Sequence, residues 1–462
     1  MHRPRFVCLG HLRDCALSLS VVLAVSWVQG PARAGDANLW ARDSFSGDWG
    51  GARTRLSEKG VDLSLTYTGE VFGNLAGGLQ RGAAYEDLIQ FRVDTDLDKL
   101  IGWKGGTAHV SLDQIDDGGR NAGDLVGGLA DPSGIDALPA TRLFALWVQQ
   151  QLGDAGNVRV GQLAADDEFL ISSTASELIN DTFAWANIVA LNLPGGGPAY
   201  PLAGPGARLK LEPTEDVTLL TAVFSGDPAG DCPDGENPQI CNRHGTTFSF
   251  TGGTLFLAEA QYRPHPLSAA AGQSAYKLGG FYHTSDFADL ALGNGTNGRI
   301  VSLAVDSSDP LEHQGNWGVY GIVDQAVWQG GASALTVFWR GGVVPSDRNL
   351  VSWYMDGGAG VTGPLRGRPD DTLSFGVAYS KVSNAAIARD HVTRRIDGPP
   401  YPIRDGETVF ELTYRARLAP WWTLQPDLQY FVHTGGDVPD PDDPDRSIGD
   451  SFLIGLRTTV KF

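Results

Sequence analysis

Hydrophobic and polar positions alternate along most of this chain. In residues 61–71, Val61, Leu63, Leu65, Tyr67, Gly69 and Val71 fall on one side, and Asp62, Ser64, Thr66, Thr68 and Glu70 on the other. In residues 88–98, Ile89, Phe91, Val93, Thr95 and Leu97 oppose Gln90, Arg92, Asp94, Asp96 and Asp98. A period of two is the strand period. Sixteen such stretches are read, at 61–72, 88–98, 105–112, 141–152, 156–162, 205–212, 216–225, 253–262, 275–284, 315–328, 332–341, 349–360, 371–382, 408–418, 422–433 and 451–462. Tight gaps rich in Gly, Pro and Asp, such as 153–156, 212–216, 330–331 and 419–420, alternate with long ones at 113–140, 163–204, 225–252, 284–314, 383–407 and 434–450. Two medium gaps, 263–274 and 361–370, fall where short ones are expected.

An even number of strands of about ten residues, with short turns at one end and long loops at the other, predicts a transmembrane antiparallel β-barrel. A soluble sandwich or propeller would alternate too. Against these, the chain has no blade-length repeat, and Tyr67, Phe72, Trp317, Trp328, Trp339, Trp353, Trp421, Trp422 and Tyr430 gather near strand ends as interfacial girdles would. The apolar faces then meet lipid, and the polar faces line a lumen wide enough at sixteen strands to hold water. The last stretch ends on Phe462 with no polar tail. An even count returns the C-terminus to the side where the first strand began, so Phe462 is placed at the seam where the last strand pairs with the first.

Composition sets the compartment. Residues 1–34 carry arginines, a short apolar core and Ala32 and Ala34, which predicts a signal peptide cut after Ala34. Residues 35–60 follow as a periplasmic segment whose stretch from Ala52 to Lys59 is a short helix stopped by Gly60, and 61–462 is the barrel. A formal charge of −19, made more acidic by loss of the leader's arginines, argues against nucleic acid as a partner. Cys232 and Cys241, nine positions apart in an oxidising compartment, are expected to form a disulfide. No cofactor or metal is expected: HExxH, GxSxG and zinc-spaced Cys/His sets are absent. "GNGTNG" (293–298) lies in a loop without the strand and helix a dinucleotide site needs, and "DDPDR" (442–446) reads as a solvated acidic loop.

Several stretches together resemble the carbohydrate-selective porins of the OprB type. They are "GDWGGARTRLSEKGVDLSLTYTGE" (47–70), "LIGWKGGTAHVS" (100–111), "VGQLAADDEF" (160–169), "NLPGGGPAYPLAGPGARLK" (192–210), "YKLGGFYHT" (276–284), "PSDRNL" (345–350), "GRPDDTLSFGVAYS" (367–380), "ETVFELTYRARLAPWWTLQPDLQY" (407–430) and "LRTTVKF" (456–462). The resemblance implies a monomeric barrel in the outer membrane of a Gram-negative bacterium, among its lipids and lipopolysaccharide. It also implies passive uptake of mono- or oligosaccharides, and a C-terminal aromatic strand read by the outer-membrane assembly machinery. The cysteine pair has no place in the family pattern.

Sugar selection calls for charged and amide groups that replace water on hydroxyls, and for aromatic faces, arranged to bind weakly enough to release. The registers place Glu70, Arg92, Asp94, Asp96, Trp147, Arg159, Arg208, Lys210, Glu259, Lys277, His283, Phe338, Arg340, Glu411, Arg415 and Arg417 inward, with Arg92 and Arg208 expected at the constriction. The longest loop, 163–204, carries Glu177, Asn180, Asp181, Phe183, Trp185 and Asn187 and is read as the eyelet, the alternative being an outward cap with a core of its own. Other function classes are a general or differently selective channel, an outer-membrane barrel enzyme and a plugged structural barrel; no Ser/His constellation supports the enzyme.

Overall fold

The computed structural model describes residues 38–233, 235–264, 274–296, 298–307 and 309–462, so the expected signal peptide and residues 35–37 lie outside the described part. Sixteen strands form the wall: β1 (Val61–Gly78), β2 (Gly82–Asp96), β3 (Gly106–Asp116), β4 (Ala140–Gln151), β5 (Gly156–Leu163), β6 (Gly204–Thr214), β7 (Val217–Ser225), β8 (Thr254–Tyr262), β9 (Ala275–Asn294), β10 (Pro310–Gly330), β11 (Ser333–Val343), β12 (Val351–Thr362), β13 (Thr372–Val382), β14 (Gly406–Ala419), β15 (Trp422–Val432) and β16 (Gly449–Lys461). Each pairs antiparallel with the next, and β16 pairs with β1 from Thr66↔Lys461 to Gly78↔Gly449, which closes the sheet. A three-residue strand, Ile300–Ser302, extends β9 at the long-loop rim, and Pro439–Asp440 pairs with Asp443–Ser447 outside the wall.

Alternation fixes the two faces of the wall. Val71, Phe91, Leu112, Val160, Leu278, Trp339, Met355 and Ile454 are exposed on its outside. Their neighbours Glu70, Arg340, Asp356 and Leu453 are buried on its inside. Phe72, expected in a girdle, follows the same parity: Val71 points out, so Phe72 points in and is buried with Leu125, Val126, Phe431 and Leu453.

The first hairpin is longer than the pattern predicts, with only residues 79–81 between β1 and β2. "GNLAGG" gives no hydrophobic alternation to read, yet its backbone groups pair with β2 as far as Asn74↔Gly82. The Asn74 carboxamide then donates to the carbonyls of Gly77 (2.9 Å) and Gln80 (3.0 Å) and fixes the turn. β9 runs on to Asn294 and β10 begins at Pro310, both beyond their expected ends.

At the short-turn rim the helix Ala52–Glu58 leads into β1 through Gly60. Gly60 has φ +86°, and a Cβ there would stand 2.6 Å from the Asp96 carbonyl oxygen, so only glycine fits. The segment before the helix grips the C-terminus. Phe45 N–H donates to the Lys461 carbonyl (2.7 Å), the Phe45 ring meets Phe462 edge-on at 5.6 Å, and Arg53 Nη2 donates to the Phe462 carbonyl oxygen (2.6 Å). Trp421 Nε1 donates to the Leu39 carbonyl (2.9 Å), and Trp40 lies against Trp421 and Trp422. Phe462 N–H in turn bonds the Leu65 carbonyl of β1 at 2.8 Å, so the chain end is tied to both seam strands and to the N-terminal segment. Arg53→Ala removes a charge-assisted bond worth about 1.5–3 kcal/mol, and is expected to lower the temperature at which the folded barrel converts to the slower-migrating unfolded band in semi-native electrophoresis. An unchanged transition would mean that the grip adds nothing to closure.

Candidate functional site

Five of the connections at the long-loop rim matter for the lumen: L2 (117–139), L3 (164–203), L4 (226–253), L7 (383–405) and L8 (433–448). L3 packs into the barrel. Its Phe169, Leu170, Phe183, Trp185, Ile188 and Val189 share one apolar cluster with wall residues Leu220, Leu257, Phe281, Tyr320, Phe338 and Tyr354. Phe183 and Phe338 meet edge to face at 6.3 Å. An irregular segment inside a barrel must satisfy its backbone groups there, and wall side chains do this.

Arg340 is 1% exposed. Its Nη1 donates to the carbonyls of Leu170 (2.8 Å) and Ala184 (3.1 Å), its Nη2 to that of Thr182 (2.7 Å), and its Nε to Asp356 Oδ2 (3.0 Å). Glu411 accepts from the N–H groups of Ile179 (2.5 Å) and Asn180 (3.0 Å). Glu259 accepts from Leu170 N–H (3.1 Å) and the Tyr320 hydroxyl (2.8 Å), while Asp324 accepts from Ser172 Oγ (2.7 Å) and Thr174 N–H (3.1 Å). Lys277 donates to the Ile171 carbonyl at 2.6 Å, and Arg415 pairs with Glu177 at 3.0 Å. Of these, Arg340, Glu411, Glu259, Lys277 and Arg415 are expected lining residues, and with Phe338 and Asp324 they hold the loop against the wall.

A second group faces the space that L3 leaves open. Cross-strand registers align Asp94 with His109 and His109 with Trp147. The Asp94 carboxylate sits 2.7 Å from His109 Nδ1, the imidazole stacks on Trp147 (5.0 Å, 13° between planes), and the Arg159 guanidinium lies 3.8 Å over the same indole. Arg159 is directly opposite Arg208, two like charges that L3 neutralises with Glu168: its Oε2 is 2.6 Å from Arg208 Nε and 3.6 Å from Arg159 Nη1. Gln149 Oε1 accepts from both arginines, at 3.1 Å and 3.2 Å. The result is a rib of alternating charge and π surface across β2 to β6. Arg92, exposed, stands beside it, and its charge acts on Asp113 and Asp167. Within L3, burial pushes Asp166 up to about 7, with the adjacent Asp167 adding to the rise. Next to the rib is a cavity of about 340 Å³ lined by Glu168, Lys210, Gln261, Arg263, Lys277 and Asp324, within the ~300–1,000 Å³ range of small-molecule sites.

The remaining expected residues lie elsewhere. Arg208 is 2% exposed and fully engaged, so it braces the rib from behind. Lys210 pairs with Glu212 (2.9 Å), and Glu70 with Arg457 across the β1–β16 seam. Asp96 accepts from the N–H groups of Asp98 (3.1 Å) and Lys99 (3.2 Å), which caps the short helix Leu97–Ile101 at the short-turn rim, and Arg417 sits at that rim near Asp370 (3.7 Å). His283 is buried against the Gly226 carbonyl (2.9 Å) at the root of L4. Cys232 and Cys241 are joined in L4, whose Gln239 accepts from Leu138 N–H of L2 at 2.8 Å.

Residues 80–462 match the description "Carbohydrate-selective porin, OprB family". The chain belongs to that family. It is similar to Porin B of Pseudomonas aeruginosa, 27% identical over 417 residues that cover 84% of this chain and 87% of that one. It also resembles the putative porin QuiX of Acinetobacter baylyi, 22% identical over 92% of this chain and 95% of the relative. The high-pH structure of Pseudomonas putida OprB matches with a TM-score of 0.79 at 24% identity, over 92% of this chain and all of that one, and has the same fold. As an OprB porin the chain sits in the Gram-negative outer membrane, with short turns in the periplasm and long loops outside.

The sequence reading of this porin missed His109, Gln149, Glu168, Asp324 and Asp356. His109 was within reach, because register neighbours of Asp94 and Trp147 must share their face; the L3 partners were not, since no periodicity describes an irregular loop. Arg340→Ala is expected to strand Asp356 and three L3 carbonyls and to cost about 3–5 kcal/mol. The check is protease cutting within residues 169–185 of the detergent-folded protein: intact L3 in the variant would remove Arg340 as its anchor.

Proposed function

We propose that this porin passes carbohydrate by diffusion through a lumen narrowed by L3, and that the rib of Asp94, His109, Trp147 and Arg159, with Arg92 beside it, is where solute is handled. A pyranose carries hydroxyls around its rim and C–H groups on its faces. Charged groups replace the water on the hydroxyls, and the indole edge and adjoining imidazole offer apolar surface. The support is the division of the inward residues. Glu259, Lys277, Arg340, Glu411 and Arg415, on β8 to β14, are consumed in holding L3, which leaves Arg92 and the rib of β2 to β6 as polar surface open to the lumen. Stacking and ion pairs fix these side chains before solute arrives, so little side-chain entropy is lost on contact. Exposure of Arg92 and Asp94 keeps them in high dielectric, which makes each contact weak and allows release. The family and the fold are those of a channel, and the chain is read as one without catalysis. The continuous apolar wall is read as that of a monomer, and the C-terminal strand as the one the assembly machinery engages.

Single-channel conductance in planar bilayers with sugar titrated in tests the reading. Stepwise conductance blocked by sugar is the expected result; barrels that insert and conduct but show no block by any mono- or oligosaccharide would reduce the chain to a general channel. Arg92→Ala is expected to raise the half-blocking concentration roughly tenfold, the loss of one charge-assisted hydrogen bond, without harming insertion. Unchanged block with normal insertion would remove Arg92 from the site.

A further inference from the structure

L2 and L3 meet over a group of acids on which, among the described residues, no cation acts. Asp131 N–H donates to Asp181 Oδ1 (2.9 Å), Asp181 N–H to the Asp131 carbonyl (3.1 Å), and Gly134 N–H to the Ile179 carbonyl (2.9 Å). Asp136 Oδ1 accepts from Asn121 Nδ2 (2.8 Å). Asp131 and Asp136 converge over Gly123: a Cβ there would stand 2.4 Å from Asp131 Oδ2 and 3.2 Å from Asp136 Oδ2. From the wall, Glu86 is 2% exposed and reaches L2 by accepting from Ala122 N–H (2.6 Å). Its second oxygen and Asp136 Oδ2 are both buried without a partner. The groups that face the three loop aspartates are Asn121, Asp124 and Ser133 on L2, Thr182 and Tyr200 on L3, Glu86 on β2 and Glu407 on β14, all acidic or neutral. Arg457, the guanidinium at the seam, is paired with Glu70.

Buried carboxylates that share a site cannot all be ionised. Either a metal or protons must fill the gap, and among the described residues no three such groups converge as metal ligands. We propose that L2 and L3 are locked together by protons shared among Asp131, Asp136 and Asp181, so that the external mouth of the pore is tightest in acid and loosens progressively as the pH rises.

Burial pushes Asp136 up to about 10, with Asp131 adding to the rise, and burial raises Asp131 and Asp181 as well. In a free loop these groups titrate near 3.9. A docked pKa above the free one means that the lock is at full strength below about 4 and weakens as pH climbs towards the docked values. The pore reading supplies only the consequence for solute entry; the lock itself is tested without any solute.

The experiment is hydrogen exchange of the amides of Asp131, Gly134 and Asp181, corrected for intrinsic rate, on the detergent-folded full chain between pH 6 and 10, beside Asp136→Asn and the double variant D131N/D136N. Protection in the wild type is expected to fall at least tenfold over that range, and to fall less in the variants, which keep fewer ionisable groups in the cluster. A flat wild-type profile overturns the proposal, and this result needs no variant to fold. Loss of protection on adding a chelator at constant pH 7 also overturns it, in favour of a divalent cation. Sugar block measured separately at pH 7 shows whether the pore reading stands or falls independently.

Discussion

Hydrocarbon gives no partner to an unpaired backbone N–H or C=O, so every architectural feature of this chain follows from the need to leave no open edge. The pairing of β16 with β1 meets that need, and it explains why the last residue is an ordered aromatic. Closure also brings together residues that lie hundreds of positions apart. Arg53 meets Phe462, and Glu70 meets Arg457, only because the sheet has rolled shut. These contacts cost little sequence information yet cover both the rim and the interior of the seam, where slippage of one residue would turn every side chain to the wrong face.

A closed sixteen-strand wall encloses more space than its own side chains fill, and the chain fills part of it with L3. An irregular segment brings its unsatisfied amides and carbonyls into that space, so the wall must carry donors and acceptors where a soluble core would carry aliphatics. Arg340, Glu259, Glu411 and Lys277 serve this need. Arg340, Glu259 and Glu411 are buried and make several hydrogen bonds each, the condition under which a buried charge is tolerated. The apolar side chains of L3 supply the area term, through contacts such as Phe183 on Phe338. Charges thereby specify where the loop lies, and aromatics hold it there.

The barrel was legible because strand period, gap alternation and terminal aromatic all report on one quantity, the two-sidedness of the wall. Buried and exposed positions alternate where the pattern was clean, as at Glu70 beside Val71 and Arg340 beside Trp339, and the Phe72 assignment failed where residue type was read ahead of parity. Hairpin β1–β2 exceeded its predicted length because backbone pairing persists through "GNLAGG", which has no side-chain pattern to announce it. The roles of the inward residues were not legible in the same way. Sequence can place Arg340 and Arg92 on the same face of the wall, but only the path of L3 decides that one is buried in bonds and the other stands in water.

That distinction bears on how a passive pore gains preference without becoming a trap. A side chain already saturated with protein partners has nothing to offer a solute, and a free one in a dry site would bind too tightly to release. The rib avoids both extremes. His109 and Arg159 cover the two faces of Trp147 and spend much of their interaction energy on each other's neighbour, while Asp94 remains more than half exposed. Residual binding capacity at each position is therefore small, and any preference has to come from several weak contacts made together along the wall. A solute with hydroxyls spaced around a ring meets that requirement as it moves, because each contact it gives up is replaced by the next.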